Sequence, residues 1–334
     1  MVTPAKIMDA KHFPPDNLRH TVDFEFSLPT VCPTCRASTL RRDAANTCLW
    51  CTTCTTEFSF SDGFPNLAVG ARFEDTSDDD CQCYEDLSNS YSTENYWIPL
   101  FRRLFSDLNY RPRILDVGCG TGAEVDMLHA AGFDAVGIEI GNRTRRWPQR
   151  TARAWLMLAN GMHMPFPDGL FDAAFCGCVF PHVGVIGDSN IVSVRFREDR
   201  LALAQEMARV VRPGGQIFAS SPNRLFPLDI FHGRAPGSYK PRLNLPTNRF
   251  LLSVADYRSL LQAAGCEHAV AEPVARYWGF LRSRHSIKGR VLGAVARSLF
   301  WLTSLSMLPS LRGSILAPWI VVRARRAGHP QRPQ

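Results

Sequence analysis

The sequence predicts an α/β protein, a doubly wound and mostly parallel sheet with a small cysteine-rich unit ahead of it. Three observations point there. Between Arg113 and Ser220 short apolar runs alternate with helical segments, the pattern of βαβ units covered on both faces. The first of these runs leads into three alternate glycines, Gly118, Gly120 and Gly122. Five of the eleven cysteines fall between Cys32 and Cys54. The 334 residues suffice for about two domains. With 45% apolar and 21% charged residues, a disordered, collagen-like or coiled-coil chain is excluded.

Residues 1–30 are polar and proline-marked, which predicts an extended arm. Residues 31–70 form the cysteine-rich unit. Cys32-Pro-Thr-Cys35 and Cys51-Thr-Thr-Cys54 are two C-x2-C knuckles fifteen residues apart, close to the spacing of a four-cysteine zinc site. Each tight turn supplies two thiolates to one tetrahedral ion, and buried free cysteines are the plainer alternative. Cys48 offers a competing pair with Cys51, but the register of Phe58, Phe60 and Asp62-Gly63-Phe64-Pro65 favours Cys51 with Cys54. Residues 71–92 contain Glu74-Asp-Thr-Ser-Asp-Asp-Asp80 and are expected to be a solvated linker.

A helix is predicted over 93–108, where Tyr96, Trp97, Leu100, Phe101, Leu104, Phe105 and Leu108 recur at spacings of three and four before Pro112. Strands are expected at 114–117, 135–140, 156–159, 173–176 and 216–220, with helices at 124–131, 201–211 and 257–264. A late run at 319–323 reads as a strand pairing antiparallel with the sheet. The sheet domain is thus placed at 93–272 and a basic, apolar extension at 273–334.

Charge is unevenly distributed. Residues 1–110 carry nine Lys/Arg and sixteen Asp/Glu, whereas residues 111–334 carry 29 and 15. No acidic residue follows Glu272, while eleven Lys/Arg do. Such a segment suits an anionic partner, nucleic acid or lipid. The chain shows no uninterrupted apolar run of about 18 residues and no secretory leader pattern, so a cytoplasmic location is expected.

The glycine run follows Asp116. Glycines let a backbone approach a ligand where the free amides of a helix start point. Alone they also satisfy a loose dinucleotide fingerprint. Asp116, two residues before Gly118, suits a ligand bearing an ammonium group and crowds a pyrophosphate, which weakens a hydride-transfer reading. Glu139, at the tip of the next apolar run, can accept from two ribose hydroxyls of either cofactor; a solvated flanking acid is its plainer reading.

Further motifs follow in order: Ala159-Asn160-Gly-Met162, Met164-Pro-Phe166-Pro-Asp168-Gly-Leu-Phe171-Asp172, Phe180-Pro-His182-Val183 and Arg209-Val-Val-Arg212-Pro213-Gly214-Gly215. With the loop at 116–122 they resemble the class I S-adenosylmethionine-dependent methyltransferases, a Rossmann-like family, over about residues 94–272. The cysteine unit resembles the zinc ribbon fused ahead of many bacterial methyltransferases. The resemblance implies that Asp116, Gly118, Gly120 and Gly122 hold the methionine moiety of S-adenosylmethionine. It further implies that Glu139 takes the ribose and that Asn160, standing where the family usually has Asp, accepts from the adenine amino group through its side-chain oxygen; Met162 either packs on the adenine ring or is a core methionine. A departure is Asn142-Arg-Thr-Arg-Arg-Trp-Pro148, where the family has a regular helix. The zinc on Cys32, Cys35, Cys51 and Cys54 is implied to be structural, since four thiolates leave no open position.

The acceptor is less legible, because in-line methyl transfer needs alignment and, for an oxygen nucleophile, a base. His182 is a candidate base or a hydrogen-bonding loop histidine. Asp229 and His232, three apart, read as an acid/base couple or a satisfied loop pair. Phe226, Phe231, Trp278 and Phe280 suggest an apolar pocket for a small molecule, a lipid-linked intermediate or a glycan precursor. An RNA base is the alternative acceptor, from the basic C-terminal half and the resemblance in domain order to zinc-ribbon-bearing rRNA methyltransferases. A non-catalytic cofactor-binding module is a third reading. Residues 287–322 are apolar, basic and acid-free, interrupted by Arg290 and Arg297. They predict either a helix packed on the core or one lying in a membrane surface with Phe300 and Trp301 inserted.

Overall fold

The computed structural model describes residues 21–22, 28–43, 48–71, 79–187, 189–231, 242–245, 247–280 and 287–328. Most of the expected N-terminal arm lies outside them. In chain order, β1 (Thr21–Val22), β2 (Leu40–Asp43), β3 (Cys48–Cys51), β4 (Glu57–Ser61) and β5 (Phe64–Leu67) form an antiparallel ladder. The β4–β5 hairpin turns on Asp62 and Gly63, both at positive φ (50° and 83°), the backbone that a two-residue turn requires and that Asp-Gly supplies. Cys32, Leu40, Leu49, Cys51 and Phe58 are buried on one side of this ladder.

Of the linker expected at 71–92, residues 72–78 lie outside the described residues, and the rest is not a linker but a helix. Residues Asp79–Ser92 form helix α1, which passes through a π-type turn at Thr93–Trp97 into α2 (Ile98–Leu104). The predicted helix at 93–108 therefore starts earlier and ends earlier. Its carboxylates are held by arginines of another segment, described below, so the polar composition marks a docked helix.

The sheet domain runs β6 (Arg113–Val117), α3 (Ala123–Ala130), β7 (Asp134–Glu139), β8 (Leu156–Ala159), β9 (Phe171–Gly177), α4 (Val179–His182), α5 (Phe196–Val210) and β10 (Val211–Pro222). A two-stranded hairpin follows, β11 (Leu228–Asp229) with β12 (Arg242–Leu243), then α6 (Val254–Ala263), β13 (Cys266–Ala271), α7 (Ile287–Leu302) and β14 (Trp319–Arg326). Strand order is β8-β7-β6-β9-β10-β14-β13, parallel from β8 to β10, with β14 antiparallel to both neighbours. The doubly wound parallel sheet and the late antiparallel strand are as the sequence predicts. Chain order reverses between β6 and β9, which opens a crevice at the carboxyl ends of those strands.

Alternate residues of each strand feed opposite layers. Leu115, Val117, Ile138 and Ile217 pack with Met207 and Tyr257 on one face. Ile114, Ala135, Phe175 and Phe218 pack on the other with Trp97 and Phe101, whose rings lie 4.8 Å from Phe175 and 5.7 Å from Phe218, respectively. β5 joins the sheet edge in parallel register with β8 (Asn66 opposite Leu158, Leu67 opposite Ala159), so the cysteine-rich ladder continues the main sheet.

Helix α7 buries Ala296 and Phe300, and Phe300 meets Phe280 edge-on at 5.4 Å. This corrects the expectation that Phe300 inserts beside Trp301. Adjacent helical positions differ by about 100°, so Phe300 faces the protein while Trp301 stays 61% exposed. Among the described residues no helix is long and apolar enough to cross a membrane.

Candidate functional site

β6 delivers Asp116 to the crevice and ends in the glycine loop. Gly118, Gly120 and Gly122 all have positive φ (75°, 50° and 78°). A Cβ on Gly118 would come within 2.4 Å of Val179 Cγ2, and Gly122 supplies the left-handed residue that starts α3. The amides of Gly118 and Cys119 donate to Ile138 O at 2.8 and 3.0 Å, locking the loop onto β7. Asp116 is 1% exposed, and its Oδ2 has no hydrogen-bond partner among the described residues. Burial, reinforced by the neighbouring Glu124 and Glu139, pushes its carboxyl well above the ordinary range. Glu124, buried on the first turn of α3, is pushed up to about 8 by burial, with Asp86 and Glu85 adding to the shift against the hydrogen bond from Asn89. Three carboxyls thus concentrate in one crevice, an environment that favours a cationic ligand.

Glu139 ends β7. Its Oε2 accepts from Gly120 N at 3.0 Å, and its Oε1 accepts from Ile140 N and Gly141 N at 2.7 and 3.0 Å. A carboxylate offers about four lone-pair directions, so capacity remains toward the crevice. Asn160, just past β8, donates from Nδ2 to Val69 O (2.9 Å) and accepts at Oδ1 from Met162 N (3.0 Å). Its amide is therefore a clamp between the sheet edge and the segment after β5, a role the sequence did not suggest. Met162 is half-buried against the core.

The segment Asn142–Gln149 is a 3₁₀ helix in place of a regular one. It buries Trp147, whose Nε1 donates to Gly120 O at 2.9 Å. It also presents arginines to α1: Arg143 binds Glu85 through two hydrogen bonds (2.5 and 2.9 Å), and Arg150, just beyond it, pairs with Asp86. Asp86 also accepts from Thr121 Oγ1, and Asn89 Nδ2 donates to Glu124 at 3.2 Å. Helix α1 is thereby a strap across the glycine loop and the start of α3.

The crevice's other wall comes from β9, β10 and the C-terminal region. His182 ends α4, close after the carboxyl end of β9, its ring edge-on to Phe250 at 5.3 Å. The loop is fixed by buried Arg200, which donates to the carbonyls of Pro181, Val183, Arg249 and Phe250. Asp229 is held by Arg242 on the neighbouring strand of its hairpin. Fully buried, it accepts from Arg242 Nε and Nη2 at 3.1 and 2.9 Å and from Phe231 N at 3.0 Å, a structural ion pair with no exposed surface for acid/base work. His232 lies outside the described residues. Tyr277, which no motif marked, hydrogen-bonds Ser220 Oγ at 2.8 Å, and its Oη sits 3.8 Å from where a Cβ of Gly177 would lie. Around it Tyr96, Trp278, Trp319 and Phe231 form a chain of rings with centroids 4.8–5.7 Å apart. Tyr96 Oη and the indole nitrogens of Trp278 and Trp319 are buried polar atoms without a hydrogen-bond partner among the described residues. An open depression of about 620 Å³ lined by Tyr110, Arg113, Asp172 and Arg212 lies at the opposite, amino end of the strands.

In the ladder, the Sγ atoms of Cys32, Cys35, Cys51 and Cys54 lie within 4.8 Å of one another, and Cys48 is not in the group. Cys32–Cys54 and Cys35–Cys51 separations are 3.7 and 3.5 Å. A tetrahedron of thiolates at zinc–sulfur bond length has edges of about 3.8 Å, so the arrangement fits such an ion and no disulfide.

A family model for a methyltransferase domain matches residues 115–219. A Mycolicibacterium smegmatis protein named as a probable S-adenosylmethionine-dependent methyltransferase is 25% identical over 181 residues, 52% of this chain and 60% of that protein. An O-methyltransferase of Aspergillus nomiae is 31% identical over 113 residues (31% and 44%), and a demethylmenaquinone methyltransferase of Symbiobacterium thermophilum 27% identical over 154 residues (42% and 55%). The chain spans less than two thirds of each. Among solved structures, a Haloferax volcanii complex of a methyltransferase activator with a methyltransferase aligns at 12% identity over 77% of this chain and 100% of that one, with a TM-score of 0.42.

Proposed function

We propose that this chain, whose residues 115–219 match a methyltransferase-domain model, is a class I S-adenosylmethionine-dependent methyltransferase and transfers the methyl group of S-adenosylmethionine to a small-molecule, lipid-linked or glycan-precursor acceptor. The observation that carries the cofactor is the carboxyl-rich crevice, with Asp116 Oδ2 buried beside the glycine loop and unpartnered among the described residues. These residues fit a ligand with two positive centres and disfavour a pyrophosphate. Asp116 and the loop amides hold the amino-acid end, Glu139 the ribose hydroxyls, and Asn160 with Met162 border the adenine. When bound, the cofactor supplies an electrophilic methyl group for in-line displacement.

The acceptor sits against the aromatic wall. Burial raises the pKa of the Tyr277 phenol, so it stays protonated; Ser220 Oγ donates to Cys176 O, so the Tyr277 proton goes to Ser220 and its oxygen lone pair is what it offers a hydroxyl or amine of the acceptor. His182 takes the proton of an oxygen nucleophile. The four cysteines hold one structural zinc, which fixes the ladder and, through Val69, the Asn160 clamp. An RNA acceptor is less well supported, because much of the basic half is consumed internally. Arg209, Arg212, Arg323 and Arg325 pair with carboxylates, and Arg326 donates to the carbonyls of Arg209 and Val211.

The test compares label transfer from methyl-labelled cofactor into a metabolite and lipid extract with transfer into bulk RNA. Label in the organic-soluble or small-molecule fraction is expected. Label in RNA that fades steeply with salt would replace this reading, since phosphate contacts are salt-dependent.

A further inference from the structure

The outer face of α7 carries an apolar stripe with a cationic border. Ile287, Val291, Val295 and Trp301 are 73%, 59%, 55% and 61% exposed. At about 100° per residue, Ile287, Val291 and Val295 fall within about 80° of each other, with Trp301 about 40° to the other side. Arg290 and Arg297, both exposed, lie just beyond Trp301, about 60–80° from Ile287. Residues 273–334 contain no Asp or Glu. Exposed apolar side chains also occur outside the helix, at Met307 (88%), Ile315 (62%), Leu243 (72%) and Leu245 (61%). The inner side of α7 and the 314–317 segment are tied to the rest of the domain. Phe231 stacks near Trp278 at 5.1 Å, Phe280 meets Phe300, and Asn223 Nδ2 donates to Ser314 O and Ala317 O at 2.8 and 3.0 Å.

We propose that this face docks on an anionic lipid bilayer, α7 lying in the plane of the surface with Trp301 and the Ile287–Val291–Val295 stripe in the acyl boundary and Arg290 and Arg297 among the head groups. The purpose of such docking rests on the reading of a lipid-linked acceptor. The surface chemistry does not. An apolar arc with basic residues along its edge is what an interfacial helix requires. Two copies of the chain meeting across a twofold axis would set acid-free, arginine-bordered faces against each other. A single-stranded nucleic acid needs stacking rings and phosphate donors along a groove, and an Ile/Val stripe offers neither.

Co-sedimentation of the full chain with phosphatidylcholine vesicles, with and without phosphatidylglycerol, tests the proposal. The wild type should pellet with phosphatidylglycerol vesicles, less so as salt rises. A Val295→Glu, Trp301→Glu variant, changed only at exposed positions, should keep its melting temperature and lose membrane partitioning by a factor on the order of 100. Arg290→Gln with Arg297→Gln should remove the preference for anionic lipid and its salt dependence while leaving residual binding. Equal pelleting of wild type and the glutamate variant overturns the proposal, as does a wild type that stays in solution, forms a dimer that the glutamate variant abolishes, or is retained by single-stranded RNA and not by vesicles. Calorimetry with S-adenosylmethionine on the same samples separates the two claims, since loss of cofactor binding in the wild type counts against the methyltransferase reading alone.

Discussion

Asp116 and Glu124 set the electrostatics of the crevice. Each carboxyl has a folded-state pKa above its ordinary value, so over the intervening pH range the native state holds a proton that the unfolded chain has released. For Glu124 that window runs from 4.5 to about 8, and the unliganded protein should lose stability as pH rises through it. Glu124→Gln, which can still meet Asn89, is expected to raise stability at pH 8 by on the order of 1–3 kcal/mol and to change it little at pH 4.5. Thermal melts at the two values check this, and a gain equal at both would contradict it. An ammonium group beside Asp116 reverses the penalty, so cofactor binding should release protons. Titrations in buffers of different ionisation enthalpy should give different apparent heats, and identical heats would mean Asp116 is already ionised. Asp116 could be read from its place before the glycines. The Asp229–Arg242 pair could not, because thirteen residues and a hairpin separate partners that the fold closes into one buried contact.

At the scale of elements, β6 through β10 were visible as apolar runs because both faces of a parallel strand are buried. Helix α1 was invisible for the opposite reason: its anchoring groups are Glu85, Asp86 and Asn89, and their partners Arg143, Arg150 and Glu124 come from elsewhere in the chain. The broken helix at Asn142–Pro148 is the other half of that device, turning arginines outward to meet α1. Glu85→Ala with Asp86→Ala should cost about 1–2 kcal/mol of stability, the pairs being partly exposed. It should also weaken cofactor binding several-fold by loosening the loop; a variant with wild-type affinity would remove α1 from the account of the site. The ladder acts similarly from the far edge of the crevice. Metal analysis should find about one zinc per chain, lost in a Cys51→Ser, Cys54→Ser variant and kept in Cys48→Ser. Release of zinc by Cys48→Ser would show the wrong ligand register.

Across the whole molecule, the ladder, the sheet and the C-terminal strand form one continuous order, β5 joining β8 at one edge and β14 inserting beside β10 near the other. Sequence composition suggested separate pieces joined by a linker, because composition records charge and spacing while edge pairing is a backbone property that few side chains announce. Tyr277 and the rings beside it became a wall only when β14 brought Trp319 next to β10. The central claim is that this assembly holds S-adenosylmethionine through Asp116 and the glycine loop. Isothermal titration of the wild type, Asp116→Ala and Gly120→Val with S-adenosylmethionine and with a nicotinamide dinucleotide tests it most directly. Binding of S-adenosylmethionine by the wild type, lost at least ten-fold in both variants while their melting curves remain cooperative, is the predicted result. Binding of the dinucleotide instead, or S-adenosylmethionine affinity unchanged in Asp116→Ala, would contradict it.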